Sequence, residues 1–303
     1  MNAVDKRNRD ILVHINGTLV PRDEAKISVF DSAVQGGDAV WEGLRIYKGR
    51  IAALAEHLKR LQDSAKALVF ENVPSSEDIK GALFDTLEAN GMWDQAHIRL
   101  TLTRGEKITS GMNPKLNQSG CTLIVLAEWK PPVYSNTGIR VITSSIRRNS
   151  PQFLDSKIHH NNLLNNILAV IEANVSDVDS AIMLDNNGFI SETNDTNIFI
   201  VKNNEIHTPT ADSCLPGITR RMIIDIANKE GIKLQERNIS NSELYAADEV
   251  FTSGTMGEIT PILEADGRQI GDGGQGSITR RIQSLHADYA FENGEAVPFS
   301  NPE

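Results

Sequence analysis

Pro151 to Ala173, PQFLDSKIHHNNLLNNILAVIEA, is the stretch on which the reading of this chain turns. It opens at a proline as an irregular segment and becomes helical near Asn161. From there Leu163, Leu164, Ile167, Leu168, Val170 and Ile171 recur at helical spacing, a stripe wide enough to predict a buried helix. One lysine, Lys157, stands just before it, with no acidic residue closer than Asp155. A lysine is ordinarily a solvated surface residue. At the threshold of a buried helix it has a second use: partial desolvation lowers its pKa, and the neutral amine can attack a carbonyl. The rest of the chain separates the two readings.

With 303 residues, 40 % of them hydrophobic, the chain can fill one large domain or two. A net charge of −10 argues against nucleic acid or an anionic membrane as partner, though not against a local pocket for a small anion. No apolar run reaches transmembrane length and the polar start MNAVDKRNRD is no signal peptide, so the expectation is a cytoplasmic protein. Cys121 and Cys214 fit no metal-ligand spacing, and His159-His160 do not share a face, so no metal site is expected.

Working outward, ILVHINGTLVPRDEAKISVFD reads as a hairpin turning at Asn16-Gly17, and AVWEGLRIYKGRIAAL as another turning near Lys48-Gly49. Helices are predicted from Ala55 to Leu68 and from Ser76 to Asn90, the second opened by the cap signal Ser75-Ser76-Glu77-Asp78. HIRLTLTRG and CTLIVLAEW are strands. The prolines of Trp129-Lys-Pro-Pro-Val-Tyr-Ser mark a linker at 130–136, between a small α/β domain at 1–129 and a larger one at 137–303. In the second half a strand, IRVITSSIRR, precedes the Lys157 segment, and a meander runs from Ala181 to Pro209. Then come helices at Ile218 to Glu230 and around Ser242–Ala246, two short strands in EVFTSGTMGEITPI, and a last helical stretch with a polar tail.

Four further places could carry chemistry. In Cys214-Leu215-Pro216-Gly217-Ile218-Thr219-Arg220 a proline and a glycine open a helix. This is either an ordinary helix start or a phosphate site built from unpaired N–H groups and the dipole. Gly254-Thr255, between two short strands, is a second place where backbone N–H groups and a hydroxyl can meet an anion. Arg60, on the first helix, is either solvated or a bidentate anion contact. Glu192, at a strand end in GFISETNDTNIF, either caps a turn or pairs with a buried cation, one candidate being the protonated nitrogen of a pyridine ring.

Four stretches together, EHLKRLQDSAKAL, the Lys157 helix, GFISETNDTNIFIVKNNEIHTP with CLPGITR, and DEVFTSGTMGEITPI, resemble the class IV (fold type IV) pyridoxal-phosphate aminotransferases over about Asn16 to Gly276. The resemblance implies an α+β fold, with a small α/β N-terminal domain and a larger C-terminal pseudo-barrel, usually as a homodimer. It implies that Lys157 is the Schiff-base lysine and the proton shuttle. Glu192 would be the ring-nitrogen partner, and Arg60, Leu215, Gly217, Ile218, Thr219, Gly254 and Thr255 the rest of the cofactor site.

VWEGLRIYKG and HIRLTLTRG followed by GMNP look most like the branched-chain amino acid aminotransferases. That likeness implies a hydrophobic L-amino acid as donor and 2-oxoglutarate as acceptor. Arg99 would shape the carboxylate pocket, Trp41, Gly43 and Gly36 would line the substrate site, and Thr255-Met256 would offer N–H groups to the substrate carboxylate. The chain departs from that pattern at Leu163, near Gly36 and at His97, where tyrosines are expected. D-amino acid and (R)-amine transaminases are therefore alternatives, followed by 4-amino-4-deoxychorismate lyase and a non-catalytic binding relative.

Overall fold

A computed structural model of the chain describes residues 5–301, which fall into two compact units. Unit 1 holds residues 5–131, 158–162 and 291–301; unit 2 holds 132–157 and 163–290. The division at 131/132 lies inside the expected linker. The second unit, expected as the continuous run 137–303, is interrupted once and ends earlier: five residues directly after Lys157 and the tail from Phe291 fold with unit 1. Backbone pairing is the reason. Residues 159–161 bond to strand residues 39–41, and the tail forms a short strand against residues 50–51.

In unit 1, strands β1 (Leu12–Ile15) and β2 (Thr18–Pro21) are joined by Asn16-Gly17, both left-handed (φ 47° and 85°), as a tight hairpin turn requires. After the short helix α1 (Ser32–Gly36) come β3 (Ala39–Tyr47) and β4 (Arg50–Ile51), then helices α2 (Leu54–Ala67) and α3 (Ser76–Ala89), and β5 (Ala96–Thr103) and β6 (Thr122–Trp129). Ser75 and Asp78 close a reciprocal capping box on α3. Strand alternation sends Val40, Leu44, Ile98, Leu100, Val125 and Ala127 into one core with Leu58 and Leu61 of α2 and Leu83 and Leu87 of α3. Each large aliphatic side chain buried there contributes roughly 1.5–3 kcal/mol.

Unit 2 adds β7 (Ile139–Thr143), α4 (Leu164–Val175), β8 (Ser180–Leu184), β9 (Ile190–Thr193), β10 (Asn197–Lys202), β11 (Glu205–Thr208) and α5 (Ile218–Lys229). Then follow β12 (Leu234–Glu236), α6 (Asn241–Tyr245), β13 (Glu249–Gly254), β14 (Glu258–Ala265), β15 (Arg268–Gln269) and α7 (Ser277–Glu292), with β16 (Glu295–Ala296) completing the sheet of unit 1. The main sheet runs β12-β11-β10-β13-β14-β7-β8-β9, and β9 comes back to lie beside β10, so the sheet curls toward a barrel. Strands β8, β9 and nearly all of β10 are buried on both faces, which explains continuous apolar runs such as NIFIV. Ile198, Ile200 and Val250 enter one core; their neighbours Phe199, Val201 and Phe251 enter another, against Ile223 and Ile226 of α5 and Ile282 of α7.

The stripe on α4 departs from the expected burial. The helix begins at Leu164, and Leu164, Ile167, Leu168, Ile171 and Val175 are 66, 49, 49, 50 and 83 % exposed. Only Ala169 and Ala173 are buried, against Ala181 and Met183 of β8. Small residues make the intramolecular contact, and the large ones face away from it. Among the described residues no helix is long and apolar enough to cross a membrane.

Candidate active site

Glu192 owes its position to a defect in a strand. Met183 pairs with Glu192 but Leu184 pairs with Ile190, so Ser191 is an extra residue, a β-bulge. The bulge moves Glu192 to the face of Met183, away from the core that Ile190 and Leu184 enter. There the buried carboxylate accepts from Arg148 Nε (2.5 Å), Asn197 Nδ2 (3.2 Å) and, at the limit of hydrogen bonding, the Leu215 N–H (3.3 Å). Arg148 Nη1 reaches on to Asn165 Oδ1 (3.3 Å) on α4. Burial pushes the Glu192 carboxyl up despite the pull of Arg148.

Asn197 links this carboxylate to the start of α5, where its Nδ2 also donates to the Leu215 carbonyl (2.8 Å). A Cβ on Gly217 would lie 2.1 Å from Asn197 Oδ1, so only glycine fits between them. Gly217 is the N-cap of α5 and offers no side-chain cap, which leaves the first N–H groups beside Ile218 and the buried Thr219 uncapped by a side chain. The β13–β14 turn is Thr255-Met256-Gly257, closed by the pair Gly254 and Glu258. A Cβ at Gly254 would come within 2.9 Å of Thr196 Cγ2, and the Met256 carbonyl is held by the Val133 N–H (2.9 Å). Beside Gly254, Ser253 Oγ is buried with no hydrogen-bond partner among the described residues.

Lys157 lies in a turn and is exposed, not buried against the helix that follows it. Its backbone N–H is fixed on Asp155 Oδ1 (3.0 Å). Its charge is felt at Cys214: burial and Glu192 push that thiol up to about 12, while Arg220, Arg148 and Lys157 pull the other way. Lys157, Glu192 and the segment before α5 thus share one electrostatic neighbourhood.

Arg60, on α2 of unit 1, is not on a solvated face. Its Nε and Nη2 donate to the two oxygens of buried Glu42 (2.8 and 2.7 Å), and Glu42 also meets His57 Nδ1 (2.6 Å) and His159 Nδ1 (3.3 Å). Burial pushes the Glu42 carboxyl up, but His159, Arg60 and His57 outweigh it and hold it well below the usual range. Arg60 Nη1 is buried without a partner among the described residues, a charged donor left over for an anion. On β3 and β5, Gly43 pairs with Arg99, and the Arg99 guanidinium lies over the Trp41 indole at 4.0 Å. Gly36 is the exposed last residue of α1, where a Cβ would meet nothing within 4 Å.

Within unit 2 the structure thus gathers Glu192, Leu215, Gly217, Ile218 and Thr219, and separately builds the Gly254, Thr255 and Met256 turn. Within unit 1 it pairs Arg60 with Glu42 and Trp41 with Arg99. Reading the sequence missed Arg148, Asn197, Glu42 and His159. The one signal available for Arg148 was Arg147-Arg148 at the end of an apolar run, since its partner lies 44 residues away.

Comparison with known proteins places this geometry. The family model for amino-transferase class IV matches residues 39–265. The Arabidopsis thaliana branched-chain-amino-acid aminotransferase-like protein 2 is 60 % identical over 292 residues, 96 % of this chain. This chain spans 52 % of that relative, about half its length. Among solved structures, the Escherichia coli branched-chain amino acid aminotransferase superposes with a TM-score of 0.87 at 33 % identity, covering 94 % of this chain and 96 % of that one. The branched-chain aminotransferase from the thermophilic archaeon Thermoproteus uzoniensis, solved with norvaline, gives a TM-score of 0.86 at 32 % identity, covering 94 % and 96 %. The chain belongs to the class IV aminotransferase family, whose cofactor is pyridoxal phosphate. The residues of unit 2 fit that group: a helix start uncapped by a side chain suits a phosphate, and the buried Glu192 carboxylate suits a ring N–H.

Proposed function

We propose that the chain is a transaminase that moves the amino group of a hydrophobic, branched-chain-type L-amino acid to 2-oxoglutarate in two ping-pong half-reactions. The observation that carries this reading is Glu192, a buried carboxylate fixed by Arg148, Asn197 and the Leu215 N–H. When bound, pyridoxal phosphate supplies a carbonyl for the incoming amine and a ring that draws electrons from the substrate Cα. Glu192, steadied by Arg148 and Asn197, holds a proton on the ring nitrogen, without which the ring is a weaker electron sink. In unit 2 the N–H groups of Ile218 and Thr219, with Thr255, hold the phosphate; in unit 1 Arg60 is a further anion contact. Lys157 would hold the cofactor through its amine and would serve as the base that moves the substrate Cα proton. The N–H groups of Thr255 and Met256 take the substrate carboxylate, and Arg99, Trp41 and Gly43 face its side chain.

The proposal includes a homodimer. The exposed stripe of α4 is the apolar surface a second copy would cover, because large aliphatics at helical spacing lose their hydration cost only against a partner. Replacing Lys157 tests the chemistry. Lys157→Ala should lose turnover by at least about three orders of magnitude, the loss expected when the nucleophile and general base is removed. Its circular dichroism should stay unchanged. A variant that keeps full activity would remove Lys157 from the mechanism.

A further inference from the structure

Residues 158–162 are bound to unit 1 more closely than a connecting segment needs. The Trp41 N–H donates to the His159 carbonyl (3.0 Å) and the Asn161 N–H to the Ala39 carbonyl (2.8 Å), with Val40 and His160 bridged between them. The segment therefore runs as a strap along the start of β3. Its side chains close on the same spot. The His159 ring stacks on the Trp41 indole, centroids 4.4 Å apart and planes 28° from parallel, and its backbone N–H is held by Ser64 Oγ (3.1 Å). The indole N–H donates to the His160 carbonyl (3.2 Å), and Arg99 Nη2 donates to Asn161 Oδ1 (2.6 Å).

These contacts fix two side chains of opposite chemistry. Trp41 is held by its ring and by its N–H, so the indole keeps one plane. Arg99 is stacked on that indole and fastened at one nitrogen to an amide, which sets the direction of its remaining donors. A ping-pong transaminase with these partners must accept an apolar side chain in one half-reaction and a carboxylate-bearing one in the other. Trp41 suits the first and Arg99 the second.

We propose that His159 and Asn161 are positioning residues that divide this task, His159 setting the indole for apolar side chains and Asn161 setting Arg99 for the distal carboxylate. The proposal rests on the transaminase reading above. Neither residue needs to touch the substrate. His159 acts through its ring, Asn161 through one hydrogen bond, so their removal should shift the two substrates differently.

The test uses the full chain loaded with pyridoxal phosphate and the variants Asn161→Ala, His159→Ala and His159→Phe. KM and kcat are read for L-leucine and 2-oxoglutarate, and the cofactor dissociation constant by fluorescence titration. Asn161→Ala should raise KM for 2-oxoglutarate about tenfold relative to KM for L-leucine, the scale of one hydrogen bond to a charged group. His159→Ala should raise KM for L-leucine about fivefold relative to that for 2-oxoglutarate, and His159→Phe, which keeps a stacking ring, should restore it. The cofactor constant should stay within about twofold in Asn161→Ala, since Asn161 is neither a phosphate donor nor a partner of Glu42 or Arg60. Both KM values moving in parallel, or His159→Phe behaving as His159→Ala, would overturn the division. A wild-type chain that transaminates neither compound would instead overturn the reading of function, and the division with it.

Discussion

Glu192 is where a single residue carries most of the chemical argument. Its carboxylate is buried, paired with one guanidinium and still pushed up by desolvation. Glu192→Gln keeps the shape but cannot hold a proton on a ring nitrogen. The turnover number should fall by about two to four orders of magnitude, within the range of a lost acid–base group, while cofactor stays bound; an unchanged rate would place the ring partner elsewhere. His97 makes a different prediction, about stability. Burial, with Lys130, Arg45 and Arg99 around it, pushes its imidazole down to about 3. The folded state thus holds it neutral, whereas the unfolded chain protonates it near the usual value of about 6.5. Its stabilising effect is therefore complete above about pH 6.5 and fades as pH falls toward 3, by up to ~1.4 kcal/mol per pH unit. Urea unfolding of His97→Gln should show a flatter loss of stability between pH 7 and 5 than the parent chain. Identical slopes would mean that His97 is not held neutral.

At the scale of elements, α4 shows what a pattern can and cannot say. Periodicity identified a helix with an apolar stripe, and that much is correct. It predicted burial within the chain, and the stripe is exposed, because periodicity records an apolar face without recording what, if anything, covers it. If a second copy covers it, Ile167→Asp together with Leu168→Asp should convert a dimer to monomers in sedimentation at micromolar concentration. A parent chain that is already monomeric would refute the assignment. The hairpin turns and the α3 cap were legible because their residues are local and their geometry admits few alternatives. β12 and β16 were not, since two or three residues become a strand only when a distant edge accepts them. The bulge at Ser191 was equally hidden, yet it decides which way Glu192 faces.

Across the whole molecule, the sequence carried the family through four motifs in order, and it singled out Lys157, Glu192, Arg60 and two glycine-bearing segments as the residues proposed for the site. What it did not carry were the groups that hold those residues. Arg148 stands 44 positions from Glu192, and His159 meets Glu42 only because five residues after Lys157 fold back onto β3. Such partners are set by the path of the chain through space, and a linear reading has no period or spacing with which to find them. The most direct test of the account is a single half-reaction. Purified chain loaded with pyridoxal phosphate is mixed, with no oxo-acid acceptor, with L-leucine, D-alanine or an (R)-aryl amine, and the visible band of the bound cofactor is followed. Loss of the band with L-leucine alone is the predicted result. Loss with D-alanine or the amine but not with L-leucine, or a protein that shows no band after cofactor is added, would contradict it.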